Sequence, residues 1–98
     1  MQEWVYVIRA TRPGLANAPT EQEAAIMSDH FRYLESLFDD GALVMAGPAL
    51  DASFGLVIFE AGTEDDARAI MESDPSVAHG VMGATLHPFR TSLLRGRE

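Results

Sequence analysis

Residues 20–41 carry the clearest hydrophobic pattern in the chain. Wound at about 3.6 residues per turn, the segment places its charged residues on one side and its large apolar residues on the other: Ile26, Met27, Phe31, Leu34, Leu37 and Phe38. Thr20 followed three residues later by Glu23 is typical of a capping box. Gly41 is the residue type that ends helices in a left-handed conformation. The pattern therefore predicts one amphipathic helix from Thr20 to Asp40.

Four shorter segments have the composition of β-strands. Residues 3–10 and 54–60 are rich in β-branched and aromatic side chains. Both are apolar on their two alternating faces, so each must be covered on both sides of a sheet. Residues 42–47 and 83–91 complete the set of strands. A second helix is predicted at 64–73, where apolar residues recur at helical spacing.

The order of these elements, β-α-β-β-α-β, predicts the ferredoxin-like α+β fold, in which both helices cover one face of a four-stranded antiparallel sheet. Strands two and four form the edges in this topology. Pro48 and Pro88 fall in those strands, as expected because proline lacks the amide donor that a central strand needs. The 98 residues are expected to form a single domain, 1–98, with a short C-terminal tail at 93–98.

Two helices leave one face of such a sheet uncovered. Apolar residues on that face would expose a larger patch to water than a monomer usually tolerates. We therefore predict a homodimer in which the two sheets pack face to face. The alternative is a monomer in which the same residues line an open ligand groove.

Composition narrows the classes of function. The formal net charge is −8 and the chain contains no lysine, which argues against a nucleic-acid-binding surface. The absence of cysteine excludes disulfides and thiolate chemistry. No apolar run approaches the roughly 20 residues of a membrane span, and the N-terminal residues lack the basic region of a signal peptide. A soluble, cytoplasmic protein is expected.

His30 is the ionisable residue that falls within the apolar arc of the first helix. A histidine in such a position is commonly a core residue held by one hydrogen bond. A catalytic role requires a partner that fixes its tautomer and a neighbouring cavity.

Asp74 is the candidate partner, because it ends the buried stripe of the second helix, which lies beside the first in this fold. Its carboxylate would hold one imidazole nitrogen of His30 and leave the other as a general base. Asp74 followed by Pro75 is also a typical helix cap, here for a short turn at 76–80. The two roles are compatible, since one carboxylate has two oxygen atoms.

The string HFRYLESLFDDGALVMAGPAL, followed by ESDPSVAHGV and HPFR, resembles the YciI-like (YCII-related) proteins of the dimeric α/β-barrel superfamily. The matching features are His30, the pair Gly47 and Pro48, and the D-P pair at Asp74. The resemblance implies a ferredoxin-like dimer with a His–Asp centre at His30 and Asp74. Proteins of similar fold include isomerases, dehalogenases and cofactor-free monooxygenases. Ser76 stands where the family often has an aromatic residue, so we expect a wider or more polar pocket beside Asp74.

Four further residues are weaker candidates for substrate binding. Arg9 is either an anion clamp in the pocket or an exposed residue at a strand end. Tyr33 lies at the margin of the helix arc, where packing is its more ordinary role. Gly47 either permits a ligand to approach the backbone closely or forms a turn, with Pro48 beside it.

The leading hypothesis is a small cofactor-free enzyme in which His30, oriented by Asp74, transfers a proton on a small organic molecule as an isomerase, lyase or dehalogenase. No metal site is predicted, because His79 and His87 have no metal-ligand spacing with His30. The alternative is a non-catalytic ligand-binding or assembly domain, in which His30 is structural and Asp74 is a helix cap.

Overall fold

The computed structural model describes residues 1–96. Its elements follow in the order β1 (Gln2–Ala10), α1 (Glu21–Asp39), β2 (Leu43–Pro48), β3 (Gly55–Ala61), α2 (Glu64–Ser73), α3 (Pro75–Ala78) and β4 (Met82–Phe89). The strands form one antiparallel sheet in the order β2-β3-β1-β4. The predicted α+β fold with β2 and β4 at the edges is confirmed. The last two positions of the predicted tail, 97 and 98, lie outside the described residues.

The start and end of α1 follow from local sequence. The hydroxyl of Thr20 accepts from the amide of Glu23 at 3.0 Å, and the Glu23 carboxylate accepts from the amide of Thr20 at 2.8 Å. Arg12 donates to the same carboxylate at 2.6 and 2.8 Å, which fastens the preceding loop to the first turn. After the helix, Gly41 adopts a φ of 83° and its amide donates to the carbonyl of Phe38 at 3.1 Å. The predicted capping box and glycine stop are both present.

The hydrophobic core lies between the helices and one face of the sheet. Tyr6 on β1 and Phe59 on β3 are both fully buried and pack edge to face, with ring centroids 5.7 Å apart. Such pairs stabilise a core beyond the area that they bury. The buried members of the core are Trp4, Tyr6, Ile8, Leu34, Leu37, Val57, Phe59, Ala61, Ala67 and Met71.

Two aromatic residues of α1 lie outside this core. Phe31 is 63% exposed and Phe38 is 65% exposed, so their predicted place on the core-facing arc was wrong. Each follows a buried residue, His30 or Leu37, by one position, which is a rotation of about 100° around the helix. The arc that meets the sheet is therefore narrower than the apolar arc of the sequence.

The sheet face opposite the helices is partly shielded within the single chain. Val5 is only 7% exposed and Ile58 only 6%. These two residues pair across the central strands, and His87 flanks Val5 on the other side. Exposed apolar side chains on this face remain on the edge strands, at Met45 and Phe89. The homodimer stays a prediction. The exposed apolar surface that argues for it is smaller than the sequence indicated.

None of the helices formed by residues 1–96 has the length and apolar character required to cross a membrane.

Candidate functional site

Asp74 lies at the junction of α2 and α3 and is fully buried. It ends α2 with an extended backbone and also caps α3, because its Oδ1 accepts from the amide of Ser76 at 2.9 Å. Pro75 has no amide hydrogen to donate and disfavours a helical residue before it, so α2 cannot continue. The cap that the sequence predicted for Asp74 is thus present, and the turn leaves its carboxylate among side chains of β1 and α1.

His30 on α1 meets that carboxylate. Its Nδ1 lies 2.8 Å from both Oδ1 and Oδ2 of Asp74. An ionised carboxylate can only accept hydrogen bonds, so Nδ1 must carry the proton and donate it. Neutral His30 therefore has its lone pair on Nε2, as a general base requires.

Two residues that the sequence did not single out as site residues complete the cluster around Asp74. The hydroxyl of Tyr6 on β1 donates to Oδ2 at 2.7 Å, and the hydroxyl of Ser76 donates to Oδ1 at 2.8 Å. With the Ser76 amide and His30 Nδ1, Asp74 accepts from four donor groups. A carboxylate offers about four acceptor positions, so its capacity is filled.

The charges of the cluster follow from these contacts. Burial alone would raise the pKa of Asp74, but the hydrogen bonds from His30, Tyr6 and Ser76 outweigh it and hold that pKa below its usual value. Burial and then the negative charge of Asp74 raise the pKa of Tyr6 far above its usual value. At neutral pH the carboxylate is charged and the phenol is protonated.

Nε2 of His30 is the polar side-chain atom of the cluster that keeps contact with solvent. Tyr6, Asp74 and Ser76 each expose 0% of their surface, whereas 11% of the His30 side chain is exposed. Throughout residues 1–96, every buried side-chain nitrogen or oxygen has a hydrogen-bond partner. Nε2 makes no hydrogen bond there, so it is not fully shielded from solvent. The arrangement presents one basic nitrogen, backed by a buried negative charge.

Arg9 is placed apart from this cluster. It is exposed at the end of β1 and lines a surface depression of about 550 Å³ formed by residues 9–17 and 51–53. Neither His30 nor Asp74 lines this depression. The structure thus brings His30 and Asp74 together and leaves Arg9 at a separate concavity, where an anion-binding role stays a prediction.

The other predicted substrate-binding residues also lie outside the cluster. The hydroxyl of Tyr33 donates to the carbonyl of Ile70 at 2.7 Å, which ties α1 to α2 and fits the packing role. Gly47 and Pro48 are exposed on β2. No atom lies within 4 Å of the place where a Cβ on Gly47 would stand, so there is open space in front of it. Their roles toward a ligand are predictions.

Metal ligands are not grouped in the described part of the chain, where no cluster of three or more His, Asp or Glu side chains is arranged to hold an ion. His79 is exposed, and His87 Nε2 lies 3.2 Å from the hydroxyl of Thr85 on the sheet. Within residues 1–96, the carboxylate that contacts His30 is that of Asp74.

Tyr6 and Ser76 were missed as site residues although the sequence carries a signal for each. A tyrosine between Trp4 and Ile8 on an inward strand face must place its hydroxyl against a buried acceptor. A serine two residues after an aspartate is suited to bond its carboxylate. The sequence alone does not reveal that both signals meet at Asp74, because Tyr6 lies 68 positions away.

Comparisons with known proteins agree with this architecture. The model of the YCII-related domain matches residues 4–89. Uncharacterized protein YjpA of Bacillus subtilis (strain 168) is 31% identical over 64 residues, which are 65% of this chain and 75% of YjpA. A solved structure of 5-chloro-2-hydroxyhydroquinone dehydrochlorinase (TftG) from Burkholderia phenoliruptrix AC1100, in complex with 2,5-dihydroxybenzoquinone, has a TM-score of 0.67 and 22% identity, covering 89% of this chain and 93% of TftG. That likeness shows a shared fold.

Proposed function

Since this chain belongs to the YCII-related domain family, we propose that it is a small cofactor-free enzyme that transfers a proton on a small organic molecule. One observation carries the proposal: His30 donates through Nδ1 to a fully buried carboxylate, while its Nε2 remains open to solvent. A histidine with only a packing role does not require a buried charge as its partner.

The chemistry follows from the cluster. Nε2 of His30 takes a proton from a C–H or O–H group of the substrate, and the resulting imidazolium is stabilised by the charge of Asp74. Asp74 does not take the proton, because its four donors favour the ionised form. The electron pair left on the substrate either moves so that His30 returns the proton elsewhere, giving isomerisation, or expels a leaving group, giving elimination. After elimination the imidazolium releases its proton to water.

Elimination on a small oxygenated ring is the first reaction class to test. The name of TftG describes a dehydrochlorinase, and its structure contains 2,5-dihydroxybenzoquinone. The same proposal includes an anion-binding role for Arg9. It also includes a homodimer formed through the sheet face opposite the helices. The second candidate function is non-catalytic ligand binding or assembly, which the capping bond from Ser76 to Asp74 favours.

The experiment compares the wild-type chain with His30→Gln. Glutamine is polar and uncharged but cannot act as a base. Chlorinated hydroxyhydroquinones are supplied and chloride release is measured, while binding of 2,5-dihydroxybenzoquinone is measured by calorimetry. We expect His30→Gln to lose at least about 100-fold in turnover and to retain binding. His79→Gln is the matched control, since His79 is exposed and lies outside the cluster.

Equal turnover by His30→Gln and the wild type would overturn the proposal. Binding of the quinone by both proteins, without turnover of any of the ring compounds supplied, would favour the non-catalytic function.

A further inference from the structure

The Asp74 carboxylate is held from two sides by side chains that do not themselves reach solvent. We propose that Tyr6 and Ser76 are positioning residues, which fix Asp74 in one orientation as an ion and thereby hold His30 as a base that exchanges protons only through Nε2. This inference rests on the proposed function of His30.

Ser76 fixes the carboxylate from within the same turn. Its amide and its hydroxyl donate to the same oxygen, Oδ1, at 2.9 and 2.8 Å. Two donors from one residue define the torsion of the Asp74 side chain more tightly than the capping amide alone. The Ser76 hydroxyl oxygen also lies 3.3 Å from His30 Nδ1. Three oxygen atoms thus surround Nδ1, which favours a proton on that nitrogen over a lone pair.

Tyr6 fixes the carboxylate from the sheet. Its hydroxyl donates to Oδ2 at 2.7 Å, on the other oxygen from the two Ser76 bonds. Because burial and the charge of Asp74 raise the pKa of Tyr6, this phenol stays protonated, and so remains a donor, at neutral pH. Tyr6 lies on a central strand and packs against Phe59, and both residues are fully buried, so the donor is anchored in the core.

Side chains from three elements face Asp74. They are Tyr6 on β1, His30 and Tyr33 on α1, and Ser76 on α3. Tyr33 differs from the others, because its hydroxyl donates to Ile70 rather than to Asp74. With both hydroxyl donors directed at Asp74 and away from solvent, Nε2 of His30 holds the removed proton, which returns to the substrate in isomerisation or passes to water after elimination.

The test is an NMR titration of the Asp74 side-chain carboxyl in the full-length chain, and it needs no substrate. Tyr6→Phe and Ser76→Ala each remove one hydrogen bond to a charged acceptor. We expect each to raise the Asp74 titration midpoint by about one pH unit or more. Ring ¹⁵N shifts of His30, recorded at neutral pH, are expected to show Nδ1–H alone in the wild type and a mixture of tautomers in the variants.

Tyr33→Phe is the matched control. It also removes a tyrosine hydroxyl near the cluster, but one that bonds a backbone carbonyl, so the Asp74 midpoint and the His30 tautomer should stay at their wild-type values. If Tyr6→Phe does not fold, the test relies on Ser76→Ala. That variant keeps the backbone amide that caps α3 through Asp74, so we expect it to fold.

An unchanged Asp74 midpoint in the folded variants would overturn the positioning role. That failure is separable from failure of the proposed function, which His30→Gln tests through turnover. If the Asp74 midpoint shifts in the variants but the wild-type protein shows no turnover, the positioning of Asp74 by Tyr6 and Ser76 is supported and the proposed catalytic function is contradicted.

Discussion

Replacing Asp74 with asparagine tests how strongly the buried charge holds the fold and the site together. Asparagine keeps the shape but offers one acceptor oxygen and a donor amide, whereas Asp74 now accepts from His30 Nδ1, the Tyr6 hydroxyl and two groups of Ser76. The single side-chain oxygen of asparagine can keep about two of these hydrogen bonds, and its acceptor is then uncharged. The other donors must find new acceptors or remain unpaired.

The size of the effect follows from that comparison. A hydrogen bond to a charged group contributes about 1.5–3 kcal/mol and a neutral one about 1 kcal/mol, and an unpaired buried donor costs about 1–3 kcal/mol. The lower cost of burying an amide than a carboxylate offsets part of this loss. We expect Asp74→Asn to reduce the free energy of unfolding by about 2–4 kcal/mol. For a chain of this length, that corresponds to a fall in melting temperature of roughly 10–30 °C.

The substitution should also change the proton on His30. An asparagine amide that faces Nδ1 donates to it, so the ring proton moves to Nε2 and the base is lost. Urea unfolding gives the stability change, and ring ¹⁵N shifts give the tautomer. Asp51→Asn is the matched control, because Asp51 likewise accepts from the amide and hydroxyl of a serine two residues later, Ser53 at 3.0 and 2.6 Å, but is exposed. It should change neither quantity appreciably.

A free energy of unfolding for Asp74→Asn within about 0.5 kcal/mol of the wild-type value, the range of an ordinary surface substitution, together with a proton that stays on His30 Nδ1, would contradict this expectation. That result would mean that the four contacts to the carboxylate contribute little and that another group sets the tautomer.

Two further predictions concern stability. Because the folded pKa of Asp74 is lowered from 3.8, its contribution is fully present above pH 3.8 and is lost as the pH falls through the lower folded value. The wild type should therefore lose stability more steeply than Asp74→Asn in urea titrations below about pH 4, and parallel curves would contradict this. Ala52 has a left-handed φ of 65°, a conformation that costs a non-glycine residue about 1 kcal/mol. Ala52→Gly should raise the free energy of unfolding by about that amount in urea, whereas Ala49→Gly, without a positive φ, should not.

Much of the fold could be predicted because its signals are local. The helix predicted at 64–73 matches α2 (Glu64–Ser73), and the capping box at Thr20 marks the start of α1 correctly. Phe31 and Phe38 could not be placed in this way, because hydrophobicity alone does not tell which edge of an apolar arc turns away from the sheet. The contact between His30 and Asp74 was predictable from the topology, which sets the two helices side by side. The bond from Tyr6 depends on the depth of a side chain in the core, which no spacing in the sequence reveals.

The capping role of Asp74 does not account for its surroundings. Thr20 and Thr63 cap α1 and α2 through one exposed hydroxyl each, so a buried charge is not needed to start a helix of four residues. Burying a carboxylate carries a penalty of several kcal/mol before its partners compensate. In this chain the compensation comes from β1, α1 and α3 together, and it leaves one imidazole nitrogen facing outward. A structural cap explains the bond from the Ser76 amide. The bonds from His30 and Tyr6 go beyond that cap and are the contacts expected if the charge has the role proposed for it.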